Sequence, residues 1–405
     1  MIQQLVYRIL RRRHFWRYAT FSEVAELYVS RLFRMFALKF VAVFTSVYLF
    51  ELGYGLVFIG VFWAAFYFLK VAFAWPSAKI AARFGPKHGT LYSNIISAVA
   101  MVFLPLVPEY GIAALGAWCV LQAFSGCMND LCYLIDFSKV KHMDHAGKEI
   151  GYMNIVEKVA TGVSPLIGGV VASLFGPGMA MILSAVFFLM SAVPLLKSAE
   201  PTRLNQKLHF KGFPWRGVWR SLLAETGVGV DAFATGSAWS LYLVVIIFAM
   251  DGDEVYAKIG FFTSLTLFIV MVASYAFGKL IDRRQGLLLL RSSVIVNSLT
   301  HAFRPTVVSV TGIVANNAVN DVATTGYSMA FTRGMFDTAD RSGFRIVYLF
   351  LIEMVVNFGA GVASLLFSLS FYLFVGPKDG FTAFFIGMAA LTLLIALPRF
   401  ALYRK

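Results

Sequence analysis

Long apolar stretches recur along the whole chain, and short polar segments separate them. A helix needs about 20 apolar residues to cross the hydrocarbon core of a bilayer. The pattern therefore predicts an all-α integral membrane protein with twelve transmembrane helices. The predicted spans are residues 29–50, 55–76, 89–107, 110–134, 150–174, 178–197, 221–249, 255–281, 286–304, 307–331, 343–375 and 379–400.

One connection is much longer than the others and divides the spans into two sets of six. Residues 198–220 are polar and basic. We therefore predict an N-terminal six-helix bundle at 21–197, a cytoplasmic linker at 198–220 and a C-terminal six-helix bundle at 221–405. Residues 1–20 combine arginines with apolar residues at helical spacing, which predicts a basic amphipathic segment on the membrane surface.

Composition and charge agree with a membrane location. Hydrophobic residues make up 59% of the chain and charged residues 14%, whereas soluble domains carry about 25% charged residues. Most Lys and Arg residues fall in every second loop, and loops rich in these residues stay in the cytoplasm. With an even number of spans, both termini are predicted to be cytoplasmic. The net charge of +14 thus reflects topology, and no nucleic-acid partner is expected.

The two sets of six spans carry the same polar features in the same order. An Asn-Asp pair in span four recurs in span ten, and a glutamate followed by glycines marks spans five and eleven. Repeats in parallel order are typical of halves related by an axis along the membrane normal. The corresponding residues are Asn129, Asp130, Glu157, Gly168 and Gly169 in the first set, and Asn320, Asp321, Glu353, Gly359 and Gly361 in the second.

A short basic turn that contains glycine follows span two and span eight. The second copy reads Gly-Lys-Leu-Ile-Asp-Arg-Arg-Gln-Gly at 278–286. The first copy, at 78–88, is weaker because Ala78 and Ala82 replace the glycine and the aspartate. Glycine allows two helices to approach closely, and the arginine offers a bidentate donor to a carboxylate on a neighbouring helix.

Six plus six spans, a basic central linker and this turn after spans two and eight resemble the major facilitator superfamily over about residues 25–400. The motif pattern is nearest to the drug/proton antiporters of that superfamily. The resemblance implies a fold of two six-helix bundles and secondary transport by alternating access. It also implies a cytoplasmic latch, which maps onto Arg83, Gly85, Asp130, Gly278, Asp282 and Arg283.

Span five supports the antiporter resemblance, whereas span four departs from it. Span five contains Pro165, Gly168 and Gly169, which resemble the antiporters' Pro-Gly signature, and we predict that this helix packs against span eight. Span four has Gln122 where the antiporters often carry an arginine. That difference counts against proton antiport by the superfamily's usual arrangement.

The resemblance implies that spans one, four, seven and ten line a central cavity, and the sequence supports this independently. In span ten, Asn317, Asn320 and Asp321 recur at helical spacing and so share one face. We predict a substrate and proton cavity that contains Lys39, Gln122, Asp231, Trp239, Asn317, Asn320, Asp321 and Glu353. No dense arginine cluster that would favour a phosphate or carboxylate-rich substrate stands out in the sequence.

Acidic residues inside the predicted spans suggest proton coupling. A charged side chain at the centre of a membrane helix costs at least about 2.5–3.5 kcal/mol, so such residues persist where they face water or a partner. Desolvation favours the protonated form of a carboxylate, so an acid in a closed cavity can bind and release protons. We hypothesise that Asp231 or Asp321 carries the proton. An internal ion pair, such as Lys39 with Asp231, is the alternative.

These features favour a transporter over an enzyme. We expect proton-coupled export of a lipophilic or drug-like compound by a monomer in the inner (plasma) membrane, with no cofactor and no metal. Uptake of a small polar nutrient, or lipid flippase or scramblase activity, is an alternative. A membrane-embedded enzyme is disfavoured because His142 and His145, which flank Asp144, lack a third ligand.

Overall fold

The computed structural model describes residues 21–140, 146–196, 208–248 and 255–403, and all secondary structure in these ranges is helical. The predicted amphipathic segment, the first part of the predicted linker and the His142–His145 loop lie outside the described residues. The all-α fold class is thus confirmed for the part of the chain that the structure describes.

The helices are numbered in chain order. The first half contains α1 (Phe21–Glu51), α2 (Leu56–Phe84), α3 (Pro86–Phe103), α4 (Val107–Val140), α5 (Ala146–Phe175) and α6 (Pro177–Ala192). The second half contains α7 (Trp215–Ile247), α8 (Val255–Ser264 and Leu267–Asp282), α9 (Gly286–Phe303), α10 (Val310–Ser342), α11 (Arg345–Leu373) and α12 (Pro377–Thr392). Two π-helical turns, Ala234–Ala238 and Leu243–Ile247, interrupt α7.

Nine stretches within the described ranges are long and apolar enough to cross a membrane. One of them, Pro86–Phe137, covers two helices, because the 3₁₀ turn Leu104–Leu106 separates α3 from α4, and non-helical backbone at Gly111 kinks α4 near its start. Helices α8 and α10 are not among the nine. The first is interrupted at 265–266, and the second carries the polar face predicted for span ten.

Several helices extend beyond the predicted spans. Helix α4 continues to Val140 and α10 to Ser342, past the predicted span ends at 134 and 331, and α7 begins at Trp215 inside the predicted linker. The reason is that the length of an apolar stretch reports the thickness of the hydrocarbon core, whereas backbone hydrogen bonds continue into the polar region.

Close glycine contacts join the same pair of helices in each half. In the first half, a Cβ on Gly168 of α5 would lie 2.4 Å from the backbone oxygen of Phe40 in α1. In the second half, a Cβ on Gly229 of α7 would lie 1.8 Å from the backbone oxygen of Val356 in α11. Small residues let membrane helices approach until their backbones touch. Gly168 therefore packs against α1 and not against span eight, the predicted neighbour, which Gly162 of the same helix contacts instead.

Two helix pairs join the halves, α2 with α11 and α5 with α8. At the first, a Cβ on Gly60 would lie 2.8 Å from Ser368 Cβ, and Ser368 Oγ donates a hydrogen bond to the Val57 carbonyl at 3.0 Å. At the second, a Cβ on Gly162 would lie 2.8 Å from Leu267 Cδ1. The interface therefore repeats the internal symmetry of the chain, because α8 and α11 occupy in the second half the places of α2 and α5 in the first.

Both halves contribute to two separate apolar clusters, which lie at opposite ends of the molecule. The outer cluster contains Val47, Trp63 and Val107 from the first half together with Leu243 and Phe381 from the second. The inner cluster contains Ala78, Phe137, Ile281, Phe336 and Tyr403 and adjoins the two basic turns. The buried charged residues Arg34, Asp231 and Arg304 belong to neither cluster and line a cavity, which is the candidate site.

Candidate functional site

A cavity of about 660 Å³ lies between the two halves. Ligand pockets in proteins are typically about 300–1,000 Å³. Its walls come from α1, α2, α4 and α5 on one side and from α7, α8 and α10 on the other, with Arg304 beyond the end of α9. A space of this size, shared by both halves, can hold a small solute.

The structure brings the predicted cavity residues together with one exception. Those that line the cavity are Lys39, Gln122, Asp231, Trp239, Asn317, Asn320 and Asp321. Glu353 lies behind the wall, where its carboxylate contacts Lys70, which does line the cavity. The polar faces of spans seven and ten thus line the same cavity.

Asp231 of α7 lies at the centre of a buried polar cluster. Its Oδ1 accepts hydrogen bonds from Asn297 Nδ2 at 2.8 Å and Thr235 Oγ1 at 3.2 Å, and lies 2.6 Å from His301 Nε2. The Tyr327 hydroxyl donates to the other oxygen, Oδ2. Partners from α9 and α10 therefore surround a carboxylate on α7, and Lys39 is not its ion-pair partner among the described residues.

Arg304 fixes the protonation of this cluster. Its Nη1 lies 3.0 Å from His301 Nδ1, and a guanidinium can only donate. His301 Nδ1 is consequently the acceptor, and the imidazole hydrogen lies on Nε2, which points at Asp231. His301 is therefore the neutral link between a buried cation and a buried carboxylate.

The π-helical turn of α7 provides part of the Arg304 site. Arg304 Nη1 donates to the backbone oxygen of Ala234, the first residue of that turn, at 2.9 Å. Its Nη2 donates to Asn320 Oδ1 at 2.9 Å, and its guanidinium carbon lies 5.0 Å from the centre of the Trp239 ring. Such π-turns occur frequently at functional sites. Here the turn connects α7, α10 and the end of α9 through one side chain.

The first half contains a second ionic network. Arg31 Nε lies 2.7 Å from Glu157 Oε1, and its Nη1 lies 4.0 Å from Asp130 Oδ1. Lys70 Nζ lies 3.1 Å from Asp130 Oδ2 and 3.5 Å from Glu353 Oε1. Because Glu353 belongs to α11, this network crosses from one half to the other.

Aromatic side chains form one wall of the cavity. Phe66 and Trp118 stack with their ring centres 5.7 Å apart, and Trp63 meets Trp118 edge to face at 6.2 Å. Trp118 Nε1 and Gln122 Oε1 are buried and have no hydrogen-bond partner among the described residues. On the opposite wall, Trp239 Nε1 donates to Asn317 Oδ1 at 2.9 Å. Flat aromatic side chains and polar side chains therefore line the same space.

The proposed latch residues lie at the inner end, with the exception of Asp130. Gly85 joins α2 to α3. Its φ of 92° is a backbone conformation that residues with a side chain rarely adopt. Arg83 and Arg283 are exposed, whereas Gly278 is buried in α8. Asp130 instead lines the cavity and pairs with Lys70 and Arg31, so its place differs from that of a turn residue. Asp282 is the last residue of α8 and belongs to the second basic turn, 278–286.

Sequence reasoning missed several residues of the site. Arg304 is the last residue of the predicted span 286–304, where a charge that faces water is expected, yet it is fully buried. The signal was present, because Asn297, His301 and Arg304 recur at helical spacing on one face. Arg34 of α1, which lines the cavity, was missed as well.

Comparisons with known proteins agree with this architecture. A sequence profile of the Major Facilitator Superfamily matches residues 27–364. A protein from Methanocaldococcus jannaschii, named an uncharacterized MFS-type transporter (MJ1560), is 19% identical over 330 residues, which cover 76% of this chain and 82% of that protein. The crystal structure of the human organic anion transporter MFSD10 (TETRAN) aligns with a TM-score of 0.67 at 12% identity, over 93% of this chain and 99% of that chain.

Proposed function

Because the chain belongs to the Major Facilitator Superfamily, we propose that it is a secondary transporter that moves a small solute by alternating access. The cavity between the halves carries this proposal. Polar residues of both halves face it, and an apolar cluster shared by both halves lies at each end. Opening one cluster while the other stays closed would expose the cavity to one side of the membrane at a time.

The proposed topology has twelve spans with both termini in the cytoplasm. The nine apolar stretches, the division of one of them at Gly111, and the helices α8 and α10 support the count. The polar face of α10 lowers its mean hydropathy because that face lines the cavity and not the lipid. We further propose a monomer in the inner (plasma) membrane, with a six-helix bundle on each side of the linker.

Proton coupling is proposed at Asp231. Protonation of this carboxylate removes the negative charge that balances Arg304, and Arg304 in turn holds the π-turn of α7 and Asn320 of α10. The protonation state is thereby linked to the packing of α7, α9 and α10. Asp321, which accepts a hydrogen bond from Thr266 of α8, is the second candidate for this role.

The proposed direction is export, and the proposed solute is amphipathic. The aromatic wall of Trp63, Phe66 and Trp118 supports a partly apolar solute. The structural neighbour is named an organic anion transporter, and at 12% identity that likeness concerns the fold. Uptake of a polar nutrient and lipid translocation are the alternative activities.

Solute-driven proton movement in proteoliposomes tests this function. Purified protein is reconstituted with a trapped pH-sensitive dye, and a panel of anionic, neutral and cationic aromatic solutes is added outside. We expect at least one solute to move protons with the wild type. Asp231→Asn should abolish the proton signal but retain exchange of labelled solute, whereas Asp379→Asn, an exposed acid at the start of α12, should change neither.

Two results would count against the proposal in different ways. If no solute crosses the membrane with the wild type, transport itself is contradicted. If Asp231→Asn moves protons as the wild type does, transport stands and the proton role passes to Asp321.

A further inference from the structure

We propose that the cavity binds the anionic group of its solute between Lys39 of α1 and Lys158 of α5, so that the substrate is an amphipathic organic anion. This inference rests on the proposed transport function and adds the chemical class of the substrate. It is carried by cations on the cavity wall that have no carboxylate partner.

Lys39 is the most exposed of these cations. Its side chain lies in the middle of α1, lines the cavity and is exposed to it. Among the described residues it makes no hydrogen bond and no ion pair. A lysine at membrane depth is costly unless it faces water or a counter-ion, and this one faces a space large enough for a solute.

Lys158 is the second cation of the site. It lines the same cavity and, within the described chain, it also has no ion-pair partner. The adjacent carboxylate of Glu157 is already bound to Arg31 at 2.7 Å. Because Lys158 and Lys39 line the same cavity, their positive charges repel each other. An anion placed between them would turn that repulsion into two attractions.

Arg34 adds a third cation from the same half. It is 1% exposed and lines the cavity, with Nη1 donating to Asn94 Oδ1 at 2.7 Å. Its Nε and Nη2 are buried, and among the described residues they have no hydrogen-bond partner. Arg34 therefore adds positive charge to this wall without offering these two donors directly to the solute. Of the other basic residues that line the cavity, Lys70 pairs with Asp130, and Arg304 donates to Ala234 and Asn320.

Asp321 and Glu157 are the internal competitors for Lys39. Both line the same cavity and lie beyond ion-pair distance from Lys39; Glu157 is held by Arg31, whereas Asp321 accepts a hydrogen bond from Thr266. If Asp321 competes with the solute, its neutralisation should strengthen anion binding. If Lys39 instead exists to pair with Asp321 in another conformation, neutralisation of Asp321 should leave anion binding unchanged.

The apolar part of the solute would lie on the aromatic wall. Phe66 and Trp118 both line the cavity and offer stacked ring surface. Aromatic side chains bind flat groups by stacking and dispersion. A flat organic group with a carboxylate, sulfonate or phosphate therefore matches the charge and the surface of the cavity.

Binding of matched solutes to the purified full-length chain tests the inference. The probes are 2-naphthoate and 2-naphthyl phosphate, with 2-naphthamide as the uncharged match, and the melting temperature reports binding because a ligand of the folded state raises it. We expect the anions to bind wild type at least about tenfold more tightly than the amide, which equals about 1.4 kcal/mol. Lys39→Gln and Lys158→Gln should each remove most of this preference.

Matched variants keep the test decisive. Lys378→Gln removes an exposed lysine in the first turn of α12 and should retain the anion preference. Lys39→Arg should retain it as well, which guards against a folding defect in Lys39→Gln. Asp321→Asn should increase anion affinity. The inference is overturned if wild type binds naphthoate and naphthamide equally, if neither anion stabilises it, or if the preference survives Lys39→Gln.

Two further arms separate related outcomes. Naphthoate binding in nanodiscs of phosphatidylcholine with and without phosphatidylglycerol identifies the source of the anion: displacement by the anionic lipid assigns the site to a lipid headgroup, and no displacement assigns it to a soluble anion. Uptake in proteoliposomes separates the two proposals. Transport of neutral or cationic solutes alone leaves the transporter standing and removes the anion site. Lysine-dependent anion binding without any transport retains the anion site and contradicts the transporter proposal.

Discussion

Lys70 of α2 and Glu353 of α11 form an ion pair across the interface between the two halves, with Nζ 3.5 Å from Oε1. Lys70 also pairs with Asp130 of its own half at 3.1 Å, and Glu353 also accepts a hydrogen bond from Asn357 Nδ2 at 2.7 Å. One buried lysine is therefore shared between an intra-half and an inter-half carboxylate. The ion pair with Glu353 joins the two halves at this point, and its loss would release them.

Loss of Lys70 should destabilise the protein more than loss of Glu353. Lys70→Gln leaves the buried Glu353 without its cation and leaves the half-buried Asp130 with only the more distant Arg31, whereas Glu353→Gln leaves Lys70 with Asp130. Breaking a buried pair from one side costs about 3–5 kcal/mol. We expect a loss of that order for Lys70→Gln and less than half of it for Glu353→Gln, measured by unfolding in detergent. Equal losses would argue against the sharing of Lys70.

Alanine at the glycine contacts should disrupt helix packing in both halves. A Cβ on Gly229 or Gly168 would overlap a backbone oxygen, so the helices must separate. Overpacking of this kind costs about 1–3 kcal/mol or more. Gly116→Ala is the control, because a Cβ there meets nothing within 4 Å. The thermal stability of the purified variants measures the effect, and a Gly229→Ala variant as stable as Gly116→Ala would contradict the packing.

Arg304→Lys should impair transport although it keeps the positive charge. Arg304 contacts the Ala234 carbonyl and Asn320 from two different nitrogens, each at 2.9 Å, and a lysine cannot reproduce that fork. We expect the solute uptake rate to fall at least about tenfold, equivalent to about 1.4 kcal/mol. Arg291→Lys, at an exposed position of α9, serves as the control. Unchanged uptake by Arg304→Lys would show that charge alone suffices.

Arg284→Gly should stabilise the turn between α8 and α9. Arg284 has φ 61°, whereas its neighbour Arg283 has φ −80°. Glycine adopts positive φ without steric cost, and a strained residue of this kind costs about 1–3 kcal/mol. The melting temperature should therefore rise for Arg284→Gly and fall for Arg283→Gly. A fall in both would mean that the Arg284 side chain contributes more than its backbone costs.

The sequence predicted the cavity through helical spacing. Asp231 and Trp239 recur on one face of α7, and Asn317, Asn320 and Asp321 on one face of α10, and all five line the cavity. These predictions depend only on the helical repeat. The helical repeat is a property of the local sequence, so it can be recognised without knowledge of the tertiary arrangement.

The partners of charged residues could not be predicted in the same way. Lys70 lies alone in an apolar span, and its partners Asp130 and Glu353 come from helices 60 or more residues away in sequence. Whether a charge is buried, paired or free depends on which helices meet, and the sequence does not specify that pairing locally. Arg304 illustrates the same limit, since it follows α9 immediately and so resembles a loop residue.

Alternating access around the central cavity is the central claim, and spin-label distances test it without knowledge of the substrate. One label pair, at Phe84 and Arg341, reports the inner end, and another, at Leu52 and Val308, reports the outer end. All four positions are exposed. The buried cysteines Cys119, Cys127 and Cys132 are first replaced by alanine.

Pulsed electron–electron double resonance then measures both distances in lipid nanodiscs. It is applied to the wild-type background and to Lys70→Gln, which removes the ion pair between Lys70 and Glu353. The account predicts two populations at each end and a reciprocal change, so that the variant that lengthens one distance shortens the other. A single, unchanged distance at both ends in both proteins would contradict alternating access.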